Sequence, residues 1–101
     1  MAKRTIIFWR DIPSQVVVKL GRASVKAQLS KRFMEAIDKA AMRAGRQGSE
    51  AYLDDWRRQI ETVQGDPQLI VDTTAEELET RFTDEVLKAI VKNKGLTITD
   101  T

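Results

Sequence analysis

Three segments at the start of the chain decide the fold. They are Lys3-Arg4-Thr5-Ile6-Ile7-Phe8-Trp9-Arg10-Asp11-Ile12, then Gln15-Val16-Val17-Val18-Lys19-Leu20, then Ser24-Val25-Lys26-Ala27-Gln28-Leu29. The first is rich in β-branched and aromatic residues and nearly continuous in apolar ones, which predicts a strand buried on both faces. Pro13-Ser14 reads as a break, and Gly21-Arg22-Ala23 as a turn in which Gly21 is free to take positive φ. The third segment alternates: Val25, Ala27 and Leu29 point one way, Ser24, Lys26 and Gln28 the other. That is a half-buried strand with one wet face. Residues 3–29 therefore predict a three-stranded antiparallel meander.

Helices are expected after it. Ser30 is a good N-cap for a helix over 31–44, with Phe33, Ile37, Ala40, Ala41 and Ala44 at helical spacing and Gly45 at its C-terminal stop. Tyr52, Leu53, Trp56, Ile60 and Val63 suggest a second helix over 50–64, opened by Ser49 and stopped by Gly65-Asp66-Pro67. Residues 68–72 read as a short strand or an apolar linker. Thr74-Ala75-Glu76-Glu77 has the form of a capping box, which starts a third helix over 75–93, with a restart suggested at Thr83-Asp84. A meander with three helices must bury one sheet face, giving a two-layer α+β domain. One domain over 1–95 is expected, with 96–101 as a flexible tail.

The composition narrows the chemistry. The chain has 101 residues, 42% hydrophobic and 32% charged, with neither His nor Cys. Serine and cysteine nucleophile systems built on histidine are excluded, as are thiolate and imidazole metal sites. No cofactor or metal is expected. Asp54-Asp55 do not share a helix face, and Glu76-Glu77 read as first-turn acids complementing a helix dipole, so no catalytic set emerges. The longest apolar runs are too short for a signal segment or a membrane span, and a cytoplasmic location is expected.

Charge is unevenly spread. Residues 1–46 carry 11 Lys/Arg against 3 acids, and residues 47–101 carry 6 against 12, for a net +2. Two readings follow: a basic binding face, or a basic half that pairs internally with the acidic half. The first makes the exposed side of the meander a protein-binding surface, with Arg10, Lys19, Arg22 and Lys26 as candidate contacts. The alternative is nucleic acid. Residues 24–58 are similar to a ribbon-helix-helix arrangement, in which Ser24, Lys26 and Gln28 would read bases and Gly48 and Ser49 would hold a phosphate. Gly45-Arg46-Gln47-Gly48 matches the GXXG loop of KH domains, a short pattern more often just a helix stop and turn. Phe8-Trp9-Arg10 and Trp56-Arg57-Arg58 could stack on bases, but core positions fit them better. A homodimer is compatible with either reading.

Lys3 to Pro13, with Phe8-Trp9-Arg10-Asp11-Ile12-Pro13 as its most specific part, then Ala40-Ala41-Met42-Arg43-Ala44-Gly45 and Tyr52-Leu53-Asp54-Asp55-Trp56-Arg57, resembles the small bacterial "virulence factor" domain family. The resemblance covers about residues 3–60. Related modules are appended to larger bacterial proteins labelled conserved virulence factor C. The resemblance implies an accessory or interaction unit with no established catalytic residues, associated with folate and corrinoid methyl transfer.

Overall fold

In the computed structural model, residues 1–46, 48 and 50–97 are described. The order is β1 (Ala2–Trp9), β2 (Ile12–Leu20), β3 (Ala23–Gln28), α1 (Lys31–Arg43), α2 (Glu50–Asp54), β4 (Trp56–Val63), α3 (Pro67–Arg81) and α4 (Asp84–Lys92). The opening meander forms as expected. The sheet is nevertheless four-stranded, in the order β3-β2-β1-β4, with every neighbour antiparallel.

Pro13-Ser14 does not end the first strand. The turn is Arg10-Asp11, closed by the pair Trp9 and Ile12, and Pro13 and Ser14 lie inside β2. Ile7 faces Gln15 while Phe8 faces Pro13, so Ser14 is an extra residue, a bulge. Pro13 is tolerated because β3 pairs β2 only from Gln15 onward, so no ladder amide is needed there. Gly21 (φ +60°) and Arg22 make the second turn, between paired Leu20 and Ala23.

Residues 56–63, expected as helix, are the edge strand β4, and α2 keeps only Glu50–Asp54. β4 pairs along the whole of β1, from Trp56 opposite Trp9 to Val63 opposite Ala2. The third expected helix also changes. It begins at Pro67, with Asp66 as N-cap accepting the Leu69 amide at 3.1 Å, so residues 68–72 are its first turns. Thr74 is therefore a buried mid-helix residue and no capping box. Its hydroxyl accepts from Arg4 Nη1 at 3.3 Å. Glu76 and Glu77 lie in mid-helix and complement no N-terminus.

The suggested restart is real: α3 ends at Arg81 and Thr83 caps α4, its Oγ accepting the Val86 amide at 3.2 Å. Thr83→Ala is expected to lose about 1 kcal/mol. Chemical denaturation would show it as a lower midpoint at unchanged slope.

Helices α1, α3 and α4 form the layer on one face of the sheet, while the short α2 covers only the Trp9 and Trp56 end of the other face through Tyr52. Ile6, Val16 and Val18 are buried under the three-helix layer, beside half-buried Val25 and Ala27. α3 crosses β2 and β3, and α1 packs on β2 and against α4. Phe33, Ile37, Ala40, Val71, Leu78, Phe82, Leu87 and Ile90 complete the core.

Candidate binding surface on the open sheet face

The face of the sheet away from α1, α3 and α4 can be read from the pairing alone, because directly opposed residues share a face. It forms three cross-strand rows. They are Ser24, Lys19, Lys3 and Thr62; then Lys26, Val17, Thr5 and Ile60; then Gln28, Gln15, Ile7 and Arg58. None of the twelve is buried. Val17, Thr5, Ile7 and Gln15 are half-buried by their neighbours, and Ile60 is 59% exposed. The expectation that β1 is buried on both faces is thus overturned: β1 is internal to the sheet, but its Lys3-Thr5-Ile7 side is uncovered.

This grid holds four cations and no acid. Lys3 and Lys19 stand directly opposite each other, and Lys26 is one diagonal step from Lys19. Like charges so placed cost stability. None of Lys3, Lys19, Lys26 and Arg58 has an ion pair among the described residues.

Among the described residues, five arginines are instead paired within the fold. Arg4 pairs with Glu61, Arg10 and Arg46 with Asp55, and Arg32 with Glu79 and Asp84. These pairs join the basic first half of the sequence to its acidic second half. Arg57 answers in the other direction, to Asp11 at 3.1 Å. Guanidinium forks suit such multi-bond sites, while no lysine is ion-paired among the described residues. The internal pairing of the charge map is thus present in these arginines, while Lys3, Lys19, Lys26 and Arg58 remain unpaired on the open face among the described residues.

The structure splits the expected contacts. Lys19 and Lys26 lie on the open face, with Ser24 and Gln28 in the same grid. Arg22 is exposed in the adjoining turn. Arg10 does not belong with them. Its Nε donates to Asp55 Oδ2 at 3.2 Å, its Nη1 to the Lys94 carbonyl at 2.8 Å, and its side chain is only 13% exposed. Lys3 and Arg58 take its place. Lys3 was legible from its alternation with Ile7, whereas Arg58 was hidden by the helical reading of its segment.

Nucleic-acid contacts fare less well. Arg46 is held by Asp55 at 3.2 Å. Gly48 is exposed at φ +73°, and Gln47 and Ser49 lie outside the described residues. The helix that follows, α2, has five residues, too short for the phosphate-holding second helix expected there. β3 pairs with β2 at one edge of a four-strand sheet. Four strands span about 14 Å between outer axes at ~4.8 Å spacing, wider than the ~12 Å groove that admits a two-stranded ribbon.

At one end of the open face the next row is Ile12, Trp9 and Trp56, at a corner where the β1–β2 turn meets α2, β4 and the C-terminal segment. Trp9 is fully buried, and its Nε1 donates to the Tyr52 carbonyl at 2.9 Å. Tyr52 lies 5.7 Å from Trp9 and 6.0 Å from Trp56, ring centre to ring centre. Phe8 is buried under the Arg57 guanidinium, 4.4 Å from its ring centre. Asp11 accepts the Thr97 amide at 2.6 Å and its hydroxyl at 2.8 Å. Burial would raise the Asp11 carboxyl, but the bonds from Thr97 and Arg57 outweigh it and hold the group below its ordinary value. Of the expected tail, Thr97 is thus tied to the turn and Leu96 is bonded back to Asn93, and residues 98–101 lie outside the described residues.

A two-layer α+β fold whose open sheet face carries four cations and no acid across its three rows defines a small domain with a candidate surface. Among the described residues no three acids gather closely enough to hold a metal ion, and no helix is long and apolar enough to cross a membrane. The family model described as virulence factor matches residues 7–91, and the chain belongs to that family. The match runs through α4, well beyond the 3–60 span of the resemblance seen in the sequence. Comparisons with curated proteins and with solved structures give no match.

Proposed function

We propose that the chain is a non-catalytic accessory module that docks an acidic protein partner on the open face of its sheet. The observation that carries this reading is the twelve-residue grid, with four unpaired cations, no acid and a bare centre of Val17, Ile7 and Ile60. A cationic field steers an acidic partner and speeds encounter, and the apolar centre supplies contact once it arrives. A second copy's identical face is disfavoured, because four cations would meet four.

Protein is favoured over nucleic acid by one further feature. Sheets that bind single strands stack bases on aromatic side chains; the grid has no ring among its twelve positions, and in the next row of the same face Trp9 is fully buried and Trp56 is packed against Tyr52. An accessory role beside folate or corrinoid methyl transfer, as the resemblance implies, takes the same form: docking to an enzyme of that system.

Affinity capture with the full chain tests this, run alongside a variant carrying Lys19→Glu and Lys26→Glu. The expected result is a partner held by the wild type and weakened at least tenfold in the variant. The variant should melt no lower than the wild type, since Lys19→Glu relieves its repulsion from Lys3. Equal retention by both proteins sinks the reading. So does a salt-dependent shift of single-stranded or duplex nucleic acid at low ionic strength.

A further inference from the structure

The helical layer carries a second surface that the sheet reading does not use. α1 and α4 pack side by side and run in the same direction: Arg32 meets Asp84 at their starts, and Arg43 and Lys92 lie at their last turns. Between them runs an open groove of about 500 Å³. Its floor is apolar, made by Ala36, Leu87 and Val91. Toward the C-terminal ends its two rims are cationic, with Lys39 and Arg43 on α1 and Lys88 and Lys92 on α4.

None of these four cations is ion-paired or hydrogen-bonded through its side chain among the described residues. Arg43 and Lys92 are partly explained as complements to the helix C-termini. Lys39 and Lys88 stand about a turn earlier and are not. The acids on the groove, Glu35 and Asp84, lie toward its other end, where Asp84 faces Arg32.

We infer that this groove takes a short acidic amphipathic helix from a partner protein. An apolar stripe at i, i+3, i+7 would lie on Ala36, Leu87 and Val91, with carboxylates on both flanks meeting the two cationic rims. Charge complementarity decides the occupant, since two parallel cationic rims about an apolar floor match an apolar stripe edged with acid on each side. A second copy of this chain does not supply one. Its acid-rich helix α3 already buries Val71 and Leu78 in its own core.

The test is a titration of the ¹⁵N-labelled full chain with a synthetic helical peptide carrying a leucine stripe flanked by glutamates. A scrambled peptide of the same composition is the control. Backbone shifts are expected to cluster at Ala36, Lys39, Leu87 and Val91. Binding should weaken at least tenfold in a Lys39→Glu, Lys88→Glu variant, whose two sites are exposed and whose fold the same spectra check. The Lys19→Glu, Lys26→Glu variant should bind the peptide as the wild type does, so the two surfaces succeed or fail separately. Shifts on the sheet face overturn the inference, as do equal binding of the scrambled peptide, no binding at millimolar peptide, or preferential binding of anionic phospholipid vesicles.

Discussion

Trp9→Ala is expected to cost about 3–5 kcal/mol, the range for deleting a large aromatic from a packed core. Trp9 is fully buried, and its indole N–H is the partner of the Tyr52 carbonyl. The ring also sets the approach of the C-terminal segment: a Cβ on Gly95, which sits at φ +90°, would come within 2.7 Å of Trp9 Cζ3. For a domain whose whole stability is about 5–15 kcal/mol, such a loss removes a large share. At roughly 4–8 °C per kcal/mol, the melting temperature should fall by about 15 °C or more. Trp9→Phe separates the two contributions, since it keeps most of the packing and leaves the Tyr52 carbonyl without its donor, for a loss of about 1–2 kcal/mol. Thermal melts by circular dichroism decide it. A Trp9→Ala protein melting within a few degrees of the wild type would show that the corner is not part of the core.

The same corner accounts for the most specific stretch of the family resemblance. Each of its six residues has a structural task. Phe8 and Trp9 fill the core, Ile12 and Pro13 are buried beside them, and Asp11 anchors Thr97 and Arg57. Arg10 is the least expected. It sits at φ +53°, a conformation costing about 1–2 kcal/mol for a residue with a Cβ. Its own contacts hold it there, with the amide donating to the Asp55 carbonyl at 2.9 Å and the guanidinium to Asp55 and Lys94. A positive charge next to two aromatics looked available for a partner in the sequence. It is instead the clamp of a strained turn, which no composition or spacing announces.

Elsewhere the legibility of the chain follows from its periodicities. The meander is legible from the β-branched and aromatic runs of β1 and β2 and from the alternation of Val25 and Ala27 with Ser24, Lys26 and Gln28 in β3. β4 is not. Tyr52, Trp56 and Ile60 recur every four residues, and four satisfies a helix and a strand alike, being near one helical turn and also a multiple of two. Val63 carries the distinguishing offset of three, and in the strand it falls on the opposite face from Ile60. As an edge strand exposed on both sides, β4 has no burial pattern to correct that reading. The start of α3 did have a signal: Asp66-Pro67 is an N-cap followed by proline at the first helical position. The same Gly65-Asp66-Pro67 equally suits the end of a preceding helix, and the run Leu69-Ile70-Val71 after it favours strand. The open face is legible only in part for the same reason, since three of its four cations, Lys3, Lys19 and Lys26, lie on the meander while Arg58 lies on β4.

Glu79 is the residue whose role could be found only from tertiary structure, and its removal is the second large effect expected. Ser30 has the extended backbone of an N-cap, yet its side chain makes no capping bond to α1. Glu79 on α3 reaches across 49 positions of sequence, its Oε2 accepting the Ser30 amide at 2.7 Å and its Oε1 the Ser30 hydroxyl at 2.8 Å. Arg32 Nη2 adds a third bond at 3.0 Å and also donates to the Glu79 carbonyl at 2.7 Å. The carboxylate thus pins the start of α1 to α3. Burial pushes its pKa up, but the bonds from Ser30 and Arg32 prevail and hold it below its ordinary value. A lowered folded-state pKa means a contribution complete above the unfolded value of roughly 4.3, and lost as pH falls through the folded one. Asp11 acts with the same sign. Stability should therefore be level from pH 7 to about 5 and fall below about pH 4. Glu79→Ala is expected to cost about 2 kcal/mol at pH 7, a magnitude kept modest because a third of the side chain meets solvent. Glu79→Gln can still accept one bond but carries no charge, so it should lose less at pH 7 and show a shallower acid limb than the wild type. Denaturation midpoints from pH 3 to 7 test both statements, and an unchanged acid limb in Glu79→Gln would mean that this carboxylate does not hold the two helices together.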